Sequence, residues 1–460
     1  MAALLWAGVA VALGCLLAIR QGGFGALAGP RWARVLLTFG AGAAAGMGVT
    51  STLFWLGRAA LGLPAAAAMA AELTLAGVLA WTVYRRPSAP APAFPSSPAF
   101  PARAALAAAA AATAAMALAA AWQMSASIPH GHWDAWAIWN LRARFLAAPG
   151  DLPERAWSCV LSHASYPQLL PGFIARCWAF SGTSTPAAPA VAGMLFWTAL
   201  LAMGVGGLAL LRGTTLALLF GCAFAAAPVF LGEVASQYAD VPLACYMAGA
   251  VMLALLGRPT AAGLFAGLAA WTKDEGLLFA VAFLAMAALF RRGWLRAAAS
   301  AAPLIGLALW FKLVVAGSSS STLALSLPGL YRNAADPARY WPVLAAFAAR
   351  VREMSLGGWY HPLFPVVILA VLLRFDRRHL RDLLFASAIF AAMLGGYFAA
   401  YVTTPYDQTW HLASSSTRLA AQAWPLFLLA VFAGLHAPEA TAPPLKRLQG
   451  KRPVRGRTDA

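Results

Sequence analysis

Trp271-Thr-Lys-Asp-Glu-Gly276 stands between two apolar runs within residues 260 to 290, and the threading of that segment decides the fold. Each run is short for a comfortable crossing of a hydrocarbon core of roughly 30 Å. Arg258 precedes the segment and Arg291 with Arg292 follows it, and all three favour the cytoplasmic side of a membrane. A re-entrant pair of half-helices satisfies both flanks, whereas a single crossing would send every later basic cluster outside. Ionisable groups at membrane depth are costly unless they pair or line a cavity. Lys273, Asp274 and Glu275 therefore either compensate one another or present a cation to an anionic substrate.

Composition places the whole chain in a membrane. Its 460 residues are 62% hydrophobic and 10% charged, with a mean hydropathy of +0.71, far too apolar for a soluble domain of this size. The net charge of +18 is dispersed between apolar spans and gathered at the C-terminus. Such charge sets topology and meets lipid headgroups, so nucleic acid is excluded as a partner. Ala2 to Ile19 lacks the basic start and small-residue cleavage site of a secretory signal, and is expected to stay as a first span. Cys159 and Cys177 share the long polar loop, where a disulfide could form outside the cytoplasm.

Working outward, spans are expected at 2 to 19, 35 to 57, 64 to 83, 103 to 122, 191 to 211, 214 to 231 and 241 to 257 before the hairpin. Four more follow at 297 to 316, 358 to 374, 383 to 402 and 419 to 436. The fold class is thus all-α, a polytopic transmembrane bundle of about 11 full crossings plus the re-entrant hairpin. Arg20, Arg31, Arg34, Arg85, Arg86, Arg212 and the cluster from Arg374 to Arg381 put the N-terminus outside and the tail 437–460 in the cytoplasm. Residues 1–86 form N-terminal accessory helices, and 87–102 a linker whose prolines remove amide donors. Residues 103–436 form the main membrane domain. Its external loop, 123–190, is expected to carry two or three short helices along the membrane surface.

That loop contains His130-Gly-His-Trp-Asp-Ala-Trp-Ala-Ile-Trp-Asn-Leu-Arg-Ala-Arg-Phe-Leu146. Trp133, Trp136 and Trp139 recur every three residues and would form a headgroup stripe on a helix, with Asp134 turned to water. The stretch is an interfacial anchor or a reaction site. Asp240, in Gln237-Tyr-Ala-Asp-Val-Pro242, is either a helix N-cap or a second acid working with Asp134. His411 and Arg418, in the polar stretch 403 to 418, can hold a phosphate, though an arginine there can also snorkel from the next span. No cofactor is required by these residues. A divalent metal is the one candidate, with His130, His132 and Asp134 or Asp240 as ligands, but no third histidine stands at metal-site spacing.

Four segments carry a resemblance: Trp133-Asp-Ala-Trp-Ala-Ile-Trp-Asn-Leu-Arg-Ala-Arg-Phe145, Tyr238-Ala-Asp-Val-Pro-Leu243, Trp271-Thr-Lys-Asp-Glu-Gly276, and Trp410-His-Leu with Thr417-Arg418. In order and spacing they resemble bacterial membrane glycosyltransferases of the C-type (GT-C) fold, and more loosely protein mannosyltransferases and lipid A aminoarabinose transferases. The resemblance implies a GT-C-like bundle in the bacterial inner membrane with a catalytic acid in the first external loop, here Asp134. Asp240 is similar to a second acidic position of relatives. It further implies a polyprenyl-phosphate sugar as donor, with Lys273, Glu275, His411 and Arg418 around the phosphate, and a glycan, lipid or protein as acceptor. The rival class is a transporter or flippase of lipid-linked saccharides, which also needs midplane charge. Its expected signature, an inverted repeat, is not visible in the chain.

Overall fold

The computed structural model describes residues 2–20, 24–25, 27–85, 101–148, 153–317, 327–356 and 361–438. Most of the proline-rich linker, Asp151 and the basic tail from 439 onward lie outside them. Among the described residues no strand forms beyond one isolated bridge, Phe375 with Leu435. Helix prevails because lipid offers no hydrogen-bond partner, so each apolar segment must satisfy its own peptide groups. Among the described residues eight helices are long and apolar enough to cross a membrane, or nine if Thr214–Ala225 and Pro228–Ser236, bent by 60°, count as one span. Pro228 has no N–H to extend the earlier helix and starts a new one instead.

The chain is thus built as an integral membrane protein, with fewer full-length helices than its hydropathy predicts. The expected span at 241 to 257 is the 16-residue helix Asp240–Leu255, and that at 358 to 374 shrinks to the 11 residues Leu363–Leu373. The second is bounded by Pro362 at its start and by Arg374, whose φ of 58° ends the helix.

Residues 259 to 290 fold as a helical hairpin. Pro259–Ala270 forms one arm, Trp271 to Lys273 the turn, and Asp274–Phe290 the other arm. The arms touch at both ends: Gly276 lies on the Ala269 carbonyl beside the turn, and Gly293, just past the second arm, sits beside the Pro259 ring. Arg258 and Arg291 therefore share one end of the bundle, as their charges demand. A methyl at 276 would occupy the space of the Ala269 carbonyl, so Gly276→Ala is expected to destabilise by about 1–3 kcal/mol through overpacking. Thermal unfolding in detergent measures this, and an unaltered midpoint would show that the arms have slack.

The two ends of the bundle differ in chemistry. At the end holding Arg258, Arg291 binds Asp382 at 2.8 Å, Arg212 donates to the Leu435 carbonyl, and the Asp376 amide donates to Gly434 at 2.8 Å. At the other end lie Asp134, Asp240, the hairpin turn and Arg418. The first helices are tied into this frame. Ala2–Arg20 and Arg31–Trp55 meet where Gly14, Gly42 and Gly46 bring backbone onto backbone. Arg176, fully buried in the loop helix Leu169–Ser181, pairs with Glu72 and donates to the Trp6 carbonyl at 2.8 Å.

The loop 123–190 does carry short helices, Asn140–Ala147, Pro153–Trp157 and Leu169–Ser181. Two of them pack into the protein, since Leu169 through Trp178 and the inner face of Asn140–Ala147 are buried. The tryptophan stripe is also split. Residues 135–139 wind as a π-helix, whose wider turn changes the phase, leaving Trp133 and Trp136 exposed while Trp139 is buried against Tyr166. Cys159 is exposed and Cys177 buried, and both are free thiols, so the two do not pair.

Candidate functional site

Two polar segments are fastened together before any charge is placed. Gln237 adopts the left-handed conformation at φ 61°, which ends the helix Pro228–Ser236 and turns its side chain into a clasp. Its Nε2 donates to the Pro129 carbonyl at 3.0 Å, and its Oε1 accepts from Asn140 Nδ2 at 2.9 Å. The His132 amide donates to the Ser236 carbonyl at 3.2 Å, and the Asp134 amide to the Tyr238 hydroxyl at 3.3 Å. Gly131, at φ 70°, permits this approach, since a Cβ there would lie 2.5 Å from the Ser236 carbonyl. Asp134 and Asp240 are thereby set side by side.

Arg418, a few turns into the helix Gln408–Gly434, joins the two acids. Its Nη1 lies 2.6 Å from Asp134 Oδ2, its Nη2 2.9 Å from Asp240 Oδ2, and its guanidinium covers the Tyr238 ring at 4.3 Å. Lys273, at the hairpin turn, binds Asp240 Oδ1 at 3.1 Å and Glu275 at 2.8 Å. Gln422, one turn beyond Arg418, also donates to Asp240 Oδ1 and accepts from the Tyr397 hydroxyl at 2.9 Å. Asp240 thus begins its helix without capping it by side chain; its carboxylate is spent on the network. Buried ionic groups of this density persist only when mutually paired. The two acids differ in access: the Asp134 side chain keeps 19% of its exposure and that of Asp240 only 1%.

A second layer adds residues that patterning does not single out. Lys273 compensates Glu275 but not Asp274, which pairs at 2.7 Å with Lys312, a lone lysine inside the span read as 297 to 316. Glu233 is buried close by, within reach of the charges on Asp240, Arg418 and Lys273. Arg142 is fully buried and donates to the carbonyls of Ser162 and His163, yet its Nε and Nη1 have no partner among the described residues. His163 stacks on Tyr166 with centroids 4.5 Å apart.

Burial pushes the His163 imidazole from 6.5 down to about 4. The unfolded chain takes up a proton below its ordinary pKa while the folded loop resists until far lower pH, so this contribution to stability is full above 6.5 and lost as pH falls toward 4. Loop stability, followed by proteolysis or hydrogen exchange between pH 7 and 4.5, is expected to decline in the native protein and to flatten in His163→Gln. Equal slopes would assign the acid sensitivity elsewhere.

His411 is not part of the ionic network. Its Nδ1 bonds Thr404 at 2.9 Å and its ring lies among Tyr401, Tyr406 and Trp410, although the charges of Glu275 and Lys273 reach it. The proposed metal ligands do not assemble. Among the described residues no three His, Cys, Asp or Glu side chains form a set able to hold a metal ion. His132 faces Tyr238, His130 lines a separate cavity, and Asp134 and Asp240 are each engaged by Arg418.

An apolar groove of about 410 Å³ opens among the helices Tyr340–Leu356, Leu363–Leu373, Leu380–Thr403 and Gln408–Gly434. Val351, Met354, Leu394 and Phe427 line it, together with Tyr397 and Ser416. Through Tyr397 and Gln422 this groove stands two hydrogen bonds from Asp240.

No family model matches the chain, and no curated protein or solved structure matches it significantly.

Proposed function

We propose that the chain is an integral membrane glycosyltransferase of GT-C-like design, moving a sugar from a polyprenyl-phosphate donor to an acceptor hydroxyl on the non-cytoplasmic face of a bacterial inner membrane. The observation that carries this reading is one partly open carboxylate, Asp134, held by a cation whose other partner is a buried carboxylate. A proton acceptor must be reachable by substrate, and a residue that only holds a cation in place need not be. Asp134 is therefore the general base and Asp240 the positioning residue for Arg418 and Lys273.

The chemistry follows from these positions. The acceptor oxygen attacks the anomeric carbon as its proton passes to Asp134, the carbon–oxygen bond to phosphate breaks, and polyprenyl phosphate departs with the electron pair. A single displacement inverts the anomeric centre. Arg418 and Lys273 stabilise charge on the leaving phosphate. The apolar groove beside Tyr397 suits the isoprenoid chain. On this reading Lys273, Asp274 and Glu275 sit at the external end, the hairpin is re-entrant, and the N-terminus is outside.

Incubating the purified protein with a panel of radiolabelled polyprenyl-phosphate sugars and extracted envelope acceptors tests the proposal. Label is expected to leave the lipid fraction for at least one donor. Passage of intact donor across proteoliposomes without transfer of label would overturn the enzyme in favour of a transporter.

A further inference from the structure

Against the 129 to 144 segment, and sharing no lining residue with the ionic network, lies a cavity of about 240 Å³. Its walls include His130, Trp136, Asn140, Arg144, Trp178 and Ser184, and no carboxylate belongs to its described lining. Pockets for drug-sized molecules run from about 300 to 1,000 Å³, so this one suits a single ring. Its walls are chemically mixed. Trp136 is half exposed and braced edge-on by Trp133 at 5.7 Å, while Trp178 is buried with its Nε1 already donating to the Thr185 carbonyl at 2.8 Å. Both rings therefore offer apolar surface.

The polar groups are unspent. Asn140 is 8% exposed; its Nδ2 is fixed on Gln237, and its Oδ1 is buried without a partner among the described residues, a costly state unless a ligand donor completes it. Arg144 is exposed at the cavity wall with no ion pair among the described residues, and its guanidinium fork matches a carboxylate or phosphate. An aromatic wall, an acceptor for a hydroxyl and an unopposed guanidinium together describe a pyranose that carries an acidic group. The floor of the cavity is bolted to the 236 to 240 turn, and Trp136 is two residues from Asp134.

From this we infer that the cavity binds one acidic monosaccharide unit, a pyranose bearing a carboxylate or a phosphate, as part of the acceptor. The assignment of that ring to the acceptor rests on the glycosyltransferase reading; the binding chemistry does not.

The test is saturation-transfer NMR and competition titration on the full chain in lipid nanodiscs, with glucose, glucuronic acid and glucose 6-phosphate as probes. Both acidic sugars are expected to bind about tenfold or more tightly than glucose, the size of one charge-assisted hydrogen bond. A preference for only one of them identifies the acidic group. Arg144→Gln should abolish the preference while leaving weak binding of all three, and Trp136→Ala should weaken all three equally. Asp134→Asn should change none of them, because the cavity lies outside the reacting centre. Equal binding of neutral and acidic sugars, or a preference that survives Arg144→Gln, overturns the inference even if sugar transfer is observed. Selective binding with no transfer from any donor leaves the cavity assigned and rejects the enzyme instead.

Discussion

Asp134→Asn is expected to cut sugar transfer by about 10²- to 10⁴-fold, the range a positioned general base supplies, while the affinity for donor stays within a few fold of native. Asparagine keeps the shape of the side chain and an oxygen for Arg418 Nη1, 2.6 Å away in the native protein. It cannot take up a proton. The expected pattern is a fall in kcat with little movement of the donor KM, since the lost interaction exists only as the hydroxyl is deprotonated. Asp134→Glu, with a carboxylate displaced by one methylene, should recover part of the rate. A different pattern, in which kcat holds and donor affinity collapses, would make Asp134 a mere anchor for Arg418 and would end its assignment as base.

How far such roles can be read from sequence depends on what surrounds each residue. Asp134, Asp240, Lys273 and Arg418 were legible because each is an ionisable group beside a span, and the burial cost of such groups makes their convergence the cheapest arrangement. Lys312 and Gln422 were not, because both sit inside runs whose hydropathy reads as an uninterrupted crossing. The lone lysine was the available signal for the first, and nothing marks the second. Arg142 stands in a tryptophan-rich stretch that reads as an interfacial anchor or a reaction site, with no signal of its own burial. Only the π-helical turn before it, invisible to a count of residues, swings that stretch into the protein. The hairpin at 259 to 290 was readable from arginine placement because charge acts on topology locally. Helix lengths were less so, since hydropathy registers apolar length and not the backbone break at Pro228 or the helix start at Leu363.

Asp240 is expected to show the reverse balance from Asp134, with its largest effect on the folded state. Asp240→Ala removes one of the two acidic partners of Lys273, one of the two of Arg418 and an acceptor for Gln422 in one step. Lys273 would keep Glu275 at 2.8 Å, and Arg418 would keep Asp134, but both cations would face an apolar gap where a fully buried carboxylate had been. Breaking a buried pair by deleting one partner typically costs about 3–5 kcal/mol, whereas exposed pairs are worth about 0–1 kcal/mol. The midpoint of unfolding in detergent should therefore drop sharply for Asp240→Ala and far less for Asp134→Ala. The double variant Asp240→Ala with Lys273→Met should regain part of the loss, because it withdraws a charge together with its partner and fills the space with methylenes. If the double variant is instead no more stable than Asp240→Ala alone, Lys273 and Asp240 are not energetically coupled. The role of Asp240 as the holder of both cations then fails, and with it the division of labour between an open base and a buried anchor.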